Sequence, residues 1–460
     1  MIKPYKSSLL EGSVVKSLLK LSIPIVLTNI LQSTYQLTDM FWVGRIGATA
    51  VAAVSLSFPI IFLLTSLGAG FSIAGTVLVA QYTGQRSFSK VNLISGQAFF
   101  VMTLFSFFIS IIGYYLTPSV INLMGGDKEM NDLAIDYLQI SLYGLFFTYS
   151  YVMFQSLFRG VGNVRAPLII VLITITLNFI LDPLLITGWG PFPAYGVNGA
   201  AYATIITQGI AAVLGIYLMV KGQSGLHLKW HHLNPVAHEI HQIIKLGLPA
   251  SAEQSTRALS MMLMMFIVAS FGVTGTAAYG VGARVLSFVI IPSLGFSMAT
   301  STIVGQNIGA SQNERARKSA YAACGIIFGT LTAIGIVLIF SAHHLMEIFI
   351  PNSPIVQAEG ARFIQIISLT FGLIGVQQVV SGALRGGGST LSAMLLAMTT
   401  LWVFRFPLAY VLSNHTSLEV EGVWWAFCIS NILAGILSWL VLSRSDWVKD
   451  VTSPMVGENF

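Results

Sequence analysis

An all-α integral membrane protein of twelve transmembrane helices, built as two six-helix repeats, is what three observations on this sequence predict. Composition is the first. With 55% hydrophobic residues, 9% charged residues and a mean hydropathy of +0.79, the chain has too little polar surface to cover a water-soluble globule of 460 residues. Spacing is the second, because the apolar residues come in stretches of roughly 20 to 28, each long enough to cross a hydrocarbon core about 30 Å thick as a helix. The third is recurrence. KLSIP at 20–24 returns as KLGLP at 245–249 and AQYTG at 80–84 as GQNIG at 305–309, both at an offset of 225. FRGVGN at 158–163 returns as LRGGGS at 384–389, and VNGAAYA at 197–203 as VEGVWWA at 420–426.

In order, the spans are expected near 17–42, 50–80, 92–116, 133–158, 166–187 and 197–220 in the first repeat. Those of the second are expected near 242–270, 276–305, 318–341, 358–382, 390–412 and 422–442. Alternating barrel-type decads are absent, and lipid tolerates no open backbone, so each span reads as a helix. Six crossings per repeat return the chain to the face it left, which makes the repeats parallel and places a substrate cavity between two pseudo-symmetric bundles. The polar stretch KGQSGLHLKWHHLNPVAHEIHQ divides them, broken by Gly222, Gly225 and Pro235. The expected organisation is therefore an amino-terminal lobe over 1–220, a connecting segment over 221–241 and a carboxyl-terminal lobe with a short tail over 242–460.

The loops fix the orientation. Seventeen of the 23 Lys and Arg residues lie at the amino terminus (Lys3, Lys6, Lys16, Lys20), in the even-numbered loops (such as Arg86, Lys90, Arg315 and Arg385) or in the tail (Arg444, Lys449). Arg45, Lys128 and Arg362 alone stand on the other side, among acids such as Asp127, Glu359 and Glu421. Both termini are thus expected in the cytoplasm, with the protein in the inner or plasma membrane. The net charge of +6 is accounted for by this bias and requires no nucleic-acid partner. The first apolar segment is too long for a cleaved leader and lacks a small-residue cleavage site, so it reads as an uncleaved signal anchor. Cys324 and Cys428 fall inside spans and build no disulfide framework.

Charges inside spans cost several kcal/mol each and point to function. Six stand out: Asp39, Asp182, Glu253, Arg257, Arg284 and Arg405. Counting from the span entries at about 1.5 Å per residue, Asp39 lies about 25 Å deep and Asp182 about 23 Å deep, one level in the outer half of the first bundle. The second repeat holds Met264 and Leu408 at the matching places. Gln32, Tyr35 and Asp39 share one stripe of the first span at i, i+3 and i+7. Asn178 precedes Asp182 by one turn, and Pro183 frees a backbone carbonyl beside it. Gln155 and Thr204 are placed to close the ring. Two such carboxylates cannot both be ionised cheaply, so the pair either shares a proton, released when a cation arrives, or binds Na⁺ through Asp39, Asn178, Asp182 and Thr204. Both alternatives stay open here.

In the second repeat Glu253 and Arg257 stand at i, i+4, the spacing of an internal ion pair, while Arg284 and Arg405 have no acid nearby in sequence. Met261 and Met264, within the run MMLMMF, offer an adaptable surface for drugs or plain packing. The histidines 227, 231, 232, 238 and 241 lack a completing Cys or acid and read as a solvated linker, not a zinc site. GGG at 386–388 lacks the Lys and Ser/Thr of a phosphate loop, and no nucleophile, base and orienter converge anywhere, which argues against an enzyme. Gly325 and Gly329 have the spacing of a close helix contact.

Together KLSIP, QSTYQLTDMFWVGRIG at 32–47, AQYTGQ, FRGVGN, LNFILDPLLI at 177–186 and NGAAYAT resemble the multidrug and toxic compound extrusion (MATE) family over essentially the whole chain, and its DinF-like branch most. The resemblance implies two six-helix lobes forming a V around a central cavity, and export of organic, often cationic, compounds against H⁺ or Na⁺. It makes Asp39 the principal coupling carboxylate, Asp182 and Asn178 its partners, and Tyr35, Gln32, Gln155 and Thr204 the surrounding network. Pro24 matches a proline where the first helix of that branch bends on protonation. The NorM-like branch has acids in the seventh and tenth spans; here Arg257 stands near the first of those places and Glu253 a turn early.

The expected activity is secondary active export of drug-like compounds by a monomer that needs no cofactor beyond the coupling ion. The alternative is a flippase for lipid-linked saccharides, which shares this architecture and would use bases such as Arg257, Arg284 and Arg405.

Overall fold

The computed structural model of the chain describes residues 9–188, 193–351, 353–444 and 447–448; Lys3, Lys6 and Lys449, counted above, lie outside them. The described residues fold into helices and connecting turns without strands. The first repeat comprises α1 (Val14–Gly44), α2 (Ala48–Gly84), α3 (Phe88–Met124), α4 (Lys128–Tyr143), α5 (Leu145–Gly160), α6 (Arg165–Pro183) and α7 (Val197–Val220). The second comprises α8 (Ala237–Ala269), α9 (Gly272–Gly309), α10 (Asn313–Phe349), α11 (Pro354–Ser368), α12 (Phe371–Gly386), α13 (Thr390–Met398), α14 (Phe406–Asn414) and α15 (Val420–Ser443). Two π-helical turns interrupt the pattern, Leu184–Gly188 after α6 and Thr399–Arg405 between α13 and α14.

Counting each interrupted helix once gives the twelve expected passages. Among the described residues nine are long and apolar enough to span a membrane by themselves, and α11 with α12, bent by 53°, makes a tenth. The other two have local reasons to fall short. The fourth is divided by Gly144 into two helices of 16 residues each. In α8, Glu239, Lys245, Glu253 and Arg257 interrupt the apolar sequence. Large side chains such as Phe107, Val213, Phe266 and Phe340 are exposed on span faces, as a hydrocarbon solvent requires.

The duplication is written in the backbone as well. Left-handed φ values occur at Gly47 and Gly272, Arg86 and Ser311, Gly162 and Gly388, and Gly196 and Glu419, each pair at the repeat spacing. The break at Gly144 corresponds in the same way to the break at Leu369 and Thr370.

Among the described residues two compact units form, one within Leu27–Ser251, the other within Ser8–Val26 and Ala252–Phe460. These units divide the chain differently from the lobes drawn at 1–220 and 242–460. Each repeat's first helix begins in one unit and ends in the other, α1 changing after Val26 and α8 after Ser251, two residues beyond Pro24 and Pro249. The exchange is reciprocal. Gly70 of α2 packs against the backbone of Ser251 in the first unit, and Gly295 of α9 against Val26 in the second. Both are glycines for the same reason: a Cβ at either would overlap the neighbouring chain.

The connecting segment is docked, not solvated as its composition suggested. Gln97 of α3 donates through Nε2 to the carbonyls of His232 and Asn234, each at 2.7 Å, and accepts from the Val236 amide at 2.8 Å. Asn92 accepts from the His227 amide at 2.6 Å, and Lys90 pairs with the buried Glu239 at 2.9 Å. In the second unit Arg315 binds the carbonyls of Leu9, Glu11 and Gly12, which ties down the start of the described chain.

The close packing read from Gly325 and Gly329 is not found. Both have open space around their Cα atoms, because that face of α10 is exposed. Gly70→Leu or Gly295→Leu should therefore destabilise the protein by about 3 kcal/mol or more through overpacking. Gly325→Ala should be neutral or stabilising by about 0.5–1 kcal/mol. Denaturant unfolding of the purified protein in detergent checks both.

Candidate functional site

Three helices of the first unit bring the polar residues together. On α1, Tyr35 is buried and Asp39 half-buried one turn further on. On α6, Asn178 and Asp182 are fully buried at i, i+4. On α7, Thr204 and the buried Thr207 lie on one face at i, i+3. The local sequence explains why α6 stops here. Pro183 removes a backbone donor directly after Asp182, and the chain leaves through the π-helical turn to Gly188, which has φ +72°. Tyr195 and Gly196 then donate to the carbonyls of Leu185 and Ile186 at 2.9 and 3.1 Å, fastening the start of α7 to the end of α6.

The hydrogen bonds form a partial ring. Asn178 Nδ2 donates to Asp182 Oδ1 at 2.9 Å, and Thr204 Oγ1 to Asp39 Oδ2 at 3.4 Å. Tyr35 Oη meets Thr207 Oγ1 at 2.9 Å; since the Thr207 hydroxyl points toward the carbonyls of Ala203 and Thr204, the phenol is the donor. Asp182 and Asn178 are both side-chain neighbours of Asp39, and Tyr137 of α4 lies near both carboxylates. Beside the ring, Val43, Ala50, Ile186, Val197 and Ala200 form an apolar cluster that Trp42 and Tyr137 extend.

Three oxygens in the ring lack a donor: Asp39 Oδ1, Asp182 Oδ2 and Asn178 Oδ1 are buried without a hydrogen-bond partner among the described residues. Two carboxylates sharing so apolar a place repel one another and lose hydration together. A proton between them would turn two of the orphaned acceptors into one hydrogen bond. Na⁺ would draw on the same oxygens, since a hard cation prefers an all-oxygen set. The residues fit either ion.

Of the other predicted residues, Gln32 is half-buried on α1 and makes no side-chain hydrogen bond among the described residues. Gln155, on α5, keeps a buried Nε2 without a partner and is not hydrogen-bonded to the ring. Pro24 lies in the part of α1 that belongs to the second unit, with Met264 buried and Met261 and Arg284 exposed in that unit. Sequence reasoning missed Thr207 and Tyr137. Thr207 was legible in principle, one helical turn beyond Thr204; Tyr137 had no local signal.

In the second unit Arg257 Nη2 binds Glu253 Oε1 at 3.0 Å, completing the expected ion pair. Arg385 requires a correction. It was counted with the loop bases, yet α12 continues to Gly386 and buries it, so that its guanidinium donates to Ser297 Oγ at 2.8 Å and stands 3.8 Å from Glu253 Oε2. Arg405 donates to Ser430 Oγ at 3.1 Å and Asn431 Oδ1 at 2.7 Å and lies over the ring of Phe427 at 4.5 Å.

The MatE family model matches residues 24–184 and again 249–411, two segments that begin at the repeat offset. A curated relative, the probable multidrug resistance protein YoeA of Bacillus subtilis (strain 168), is 30% identical over 433 residues, 92% of this chain and 93% of its own. The probable multidrug resistance protein YpnP of the same organism is 28% identical over 95% of this chain and 96% of its own. Among solved structures, that of a MOP superfamily transporter from Pyrococcus furiosus Vc1 (DSM3638) superposes with a TM-score of 0.90 at 24% identity, covering 97% of this chain and 99% of that one.

The Tyr35–Thr207 contact permits a double-mutant cycle. Thr207→Val, which strands a buried phenol, should cost about 1–2 kcal/mol, and Tyr35→Phe about 1 kcal/mol. The double variant should cost less than the two together by about 1 kcal/mol in denaturant unfolding.

Proposed function

The chain belongs to the MatE family of membrane transporters, and on that premise we propose that it is a secondary active exporter that antiports organic, often cationic, compounds against inward H⁺ or Na⁺. The observation that carries this reading is the pairing of Asp39 with Asp182 around three buried oxygens that lack donors. Such a pair has a use for one cation at a time. A cationic compound held near ionised carboxylates gains a counter-charge. An inward-moving H⁺ or Na⁺ that settles on the same oxygens removes that counter-charge and releases the compound. Each positive charge moved inward down an inside-negative potential yields about 2.3 kcal/mol per 100 mV, which biases the exchange outward for the drug.

Asp39 and Asp182 are the coupling carboxylates in this reading. Asn178 orients Asp182 by its 2.9 Å hydrogen bond, Thr204 touches Asp39, and Tyr35 with Thr207 closes the side of the ring along α7. The coupling ion is the only cofactor. In this reading the protein works in the inner or plasma membrane with both termini in the cytoplasm, which the distribution of Lys and Arg supports.

In cells without their own pumps, expression of the chain should permit growth in cationic dyes, and Asp39→Asn should lower efflux at least tenfold at an unchanged protein level. Near-normal resistance in that variant would remove Asp39 from the site. Proteoliposomes under a pH gradient or a Na⁺ gradient, imposed separately, identify the coupling ion: dye export should follow one of the two and fail in Asp182→Asn with both.

A further inference from the structure

The interior of the second unit has the opposite charge problem. Glu253 is its one buried acid among the described residues, and Arg257, Arg385 and Arg405 all lie close to it or to one another. Glu253 divides its two oxygens between Arg257, at 3.0 Å, and Arg385, at 3.8 Å. Arg405 has no carboxylate within ion-pair distance among the described residues; its contacts are the neutral Ser430 and Asn431 and the face of Phe427. With one acid against three guanidiniums, about two positive charges go uncompensated in a span interior where each unpaired charge costs several kcal/mol.

Arg257 and Arg405 border one cavity of about 80 Å³, together with Gln377, Gln378, Phe427 and Asn431. Each arginine retains donors for it. Of the five N–H groups on a guanidinium, Arg257 commits one to Glu253 and Arg405 two to Ser430 and Asn431. Gln377 gives one amide hydrogen to Thr400 Oγ1 at 2.9 Å and keeps the other. The π-helical turn Thr399–Arg405 helps to shape this wall, ending on Arg405 itself. The cavity therefore combines two cations, amide donors and an aromatic face, and no carboxylate lines it among the described residues.

We propose that this cavity is an anion site, in which Arg257 and Arg405 together hold the carboxylate or phosphate group of a ligand. Planar guanidiniums recognise such oxygens by paired hydrogen bonds. Phe427 holds the Arg405 guanidinium from one side and leaves its edge for the ligand. A bound anion supplies the counter-charge that the unit lacks. The site is separate from the carboxylate pair of the first unit and stands whether or not that pair couples transport.

Equilibrium binding of radiolabelled benzoate and of inorganic phosphate to the purified full chain, in a non-ionic detergent, tests the assignment. Saturable binding of at least one probe is expected, weakened about tenfold or more in Arg257→Gln and in Arg405→Gln, partly restored in Arg257→Lys, and unchanged in Asp39→Asn. Loss on Asp39→Asn alone would place the ligand at the other site and overturn the proposal. A third arm adds phosphatidylglycerol; binding of that lipid alone, with the same dependence on the arginines, supports the site and identifies its ligand as a lipid headgroup. No saturable binding of any probe, or binding that ignores both arginine substitutions, overturns it. Should Arg405→Gln fail to fold, Arg257→Gln, at a partly exposed position, decides the question.

Discussion

Charge inside hydrocarbon has to be answered by a partner, and the architecture of this protein is organised around two places where the answer is incomplete. In the first unit two carboxylates share one amide and one hydroxyl donor, and three oxygens remain without a donor. In the second, the guanidiniums of Arg257 and Arg385 share one carboxylate and that of Arg405 has none within ion-pair distance among the described residues. Elsewhere in the spans many buried hydroxyls are satisfied locally, as when Ser57 and Thr76 return theirs to carbonyls of their own helix.

The duplicated scaffold explains how both places arose in one frame. Left-handed turns, the mid-span breaks and the helix exchange beyond Pro24 and Pro249 all recur at the repeat spacing, so the backbone is common property of the two halves. Side chains at matching places have diverged in opposite directions. Asp39 corresponds to the buried Met264 and Asp182 to Leu408, while Arg405 corresponds to the exposed Phe179. The two π-helical turns do not correspond either: one follows the acid of the first half and the other leads up to the arginine of the second. Local departures from regular helix thus accompany the charged residues and not the shared frame.

Much of this was legible before any coordinates, because hydropathy and recurrence are properties of long stretches. Span limits follow from hydropathy, the repeat offset from recurrence, and the expected common depth of Asp39 and Asp182 from helical rise. Partnerships between distant helices are a different matter. Nothing near Tyr137 in sequence announces its proximity to the carboxylates, and Arg385 looked like a loop base because α12 runs one turn further than its apolar residues require. The docked segment after α7 was read as solvated for a similar reason. Its polarity is answered by single residues of α3, Asn92 and Gln97, which no local pattern distinguishes.

The central claim is that one cation and one substrate compete for the oxygens of Asp39 and Asp182. Binding of a cationic dye to the purified protein, followed in weakly buffered solution with the released ions counted, tests this most directly. The account predicts that close to one H⁺ is released, or one Na⁺ displaced, for each dye bound by the native chain, and none by Asp39→Asn. Dye binding of undiminished affinity with no ion released from the native chain would contradict it.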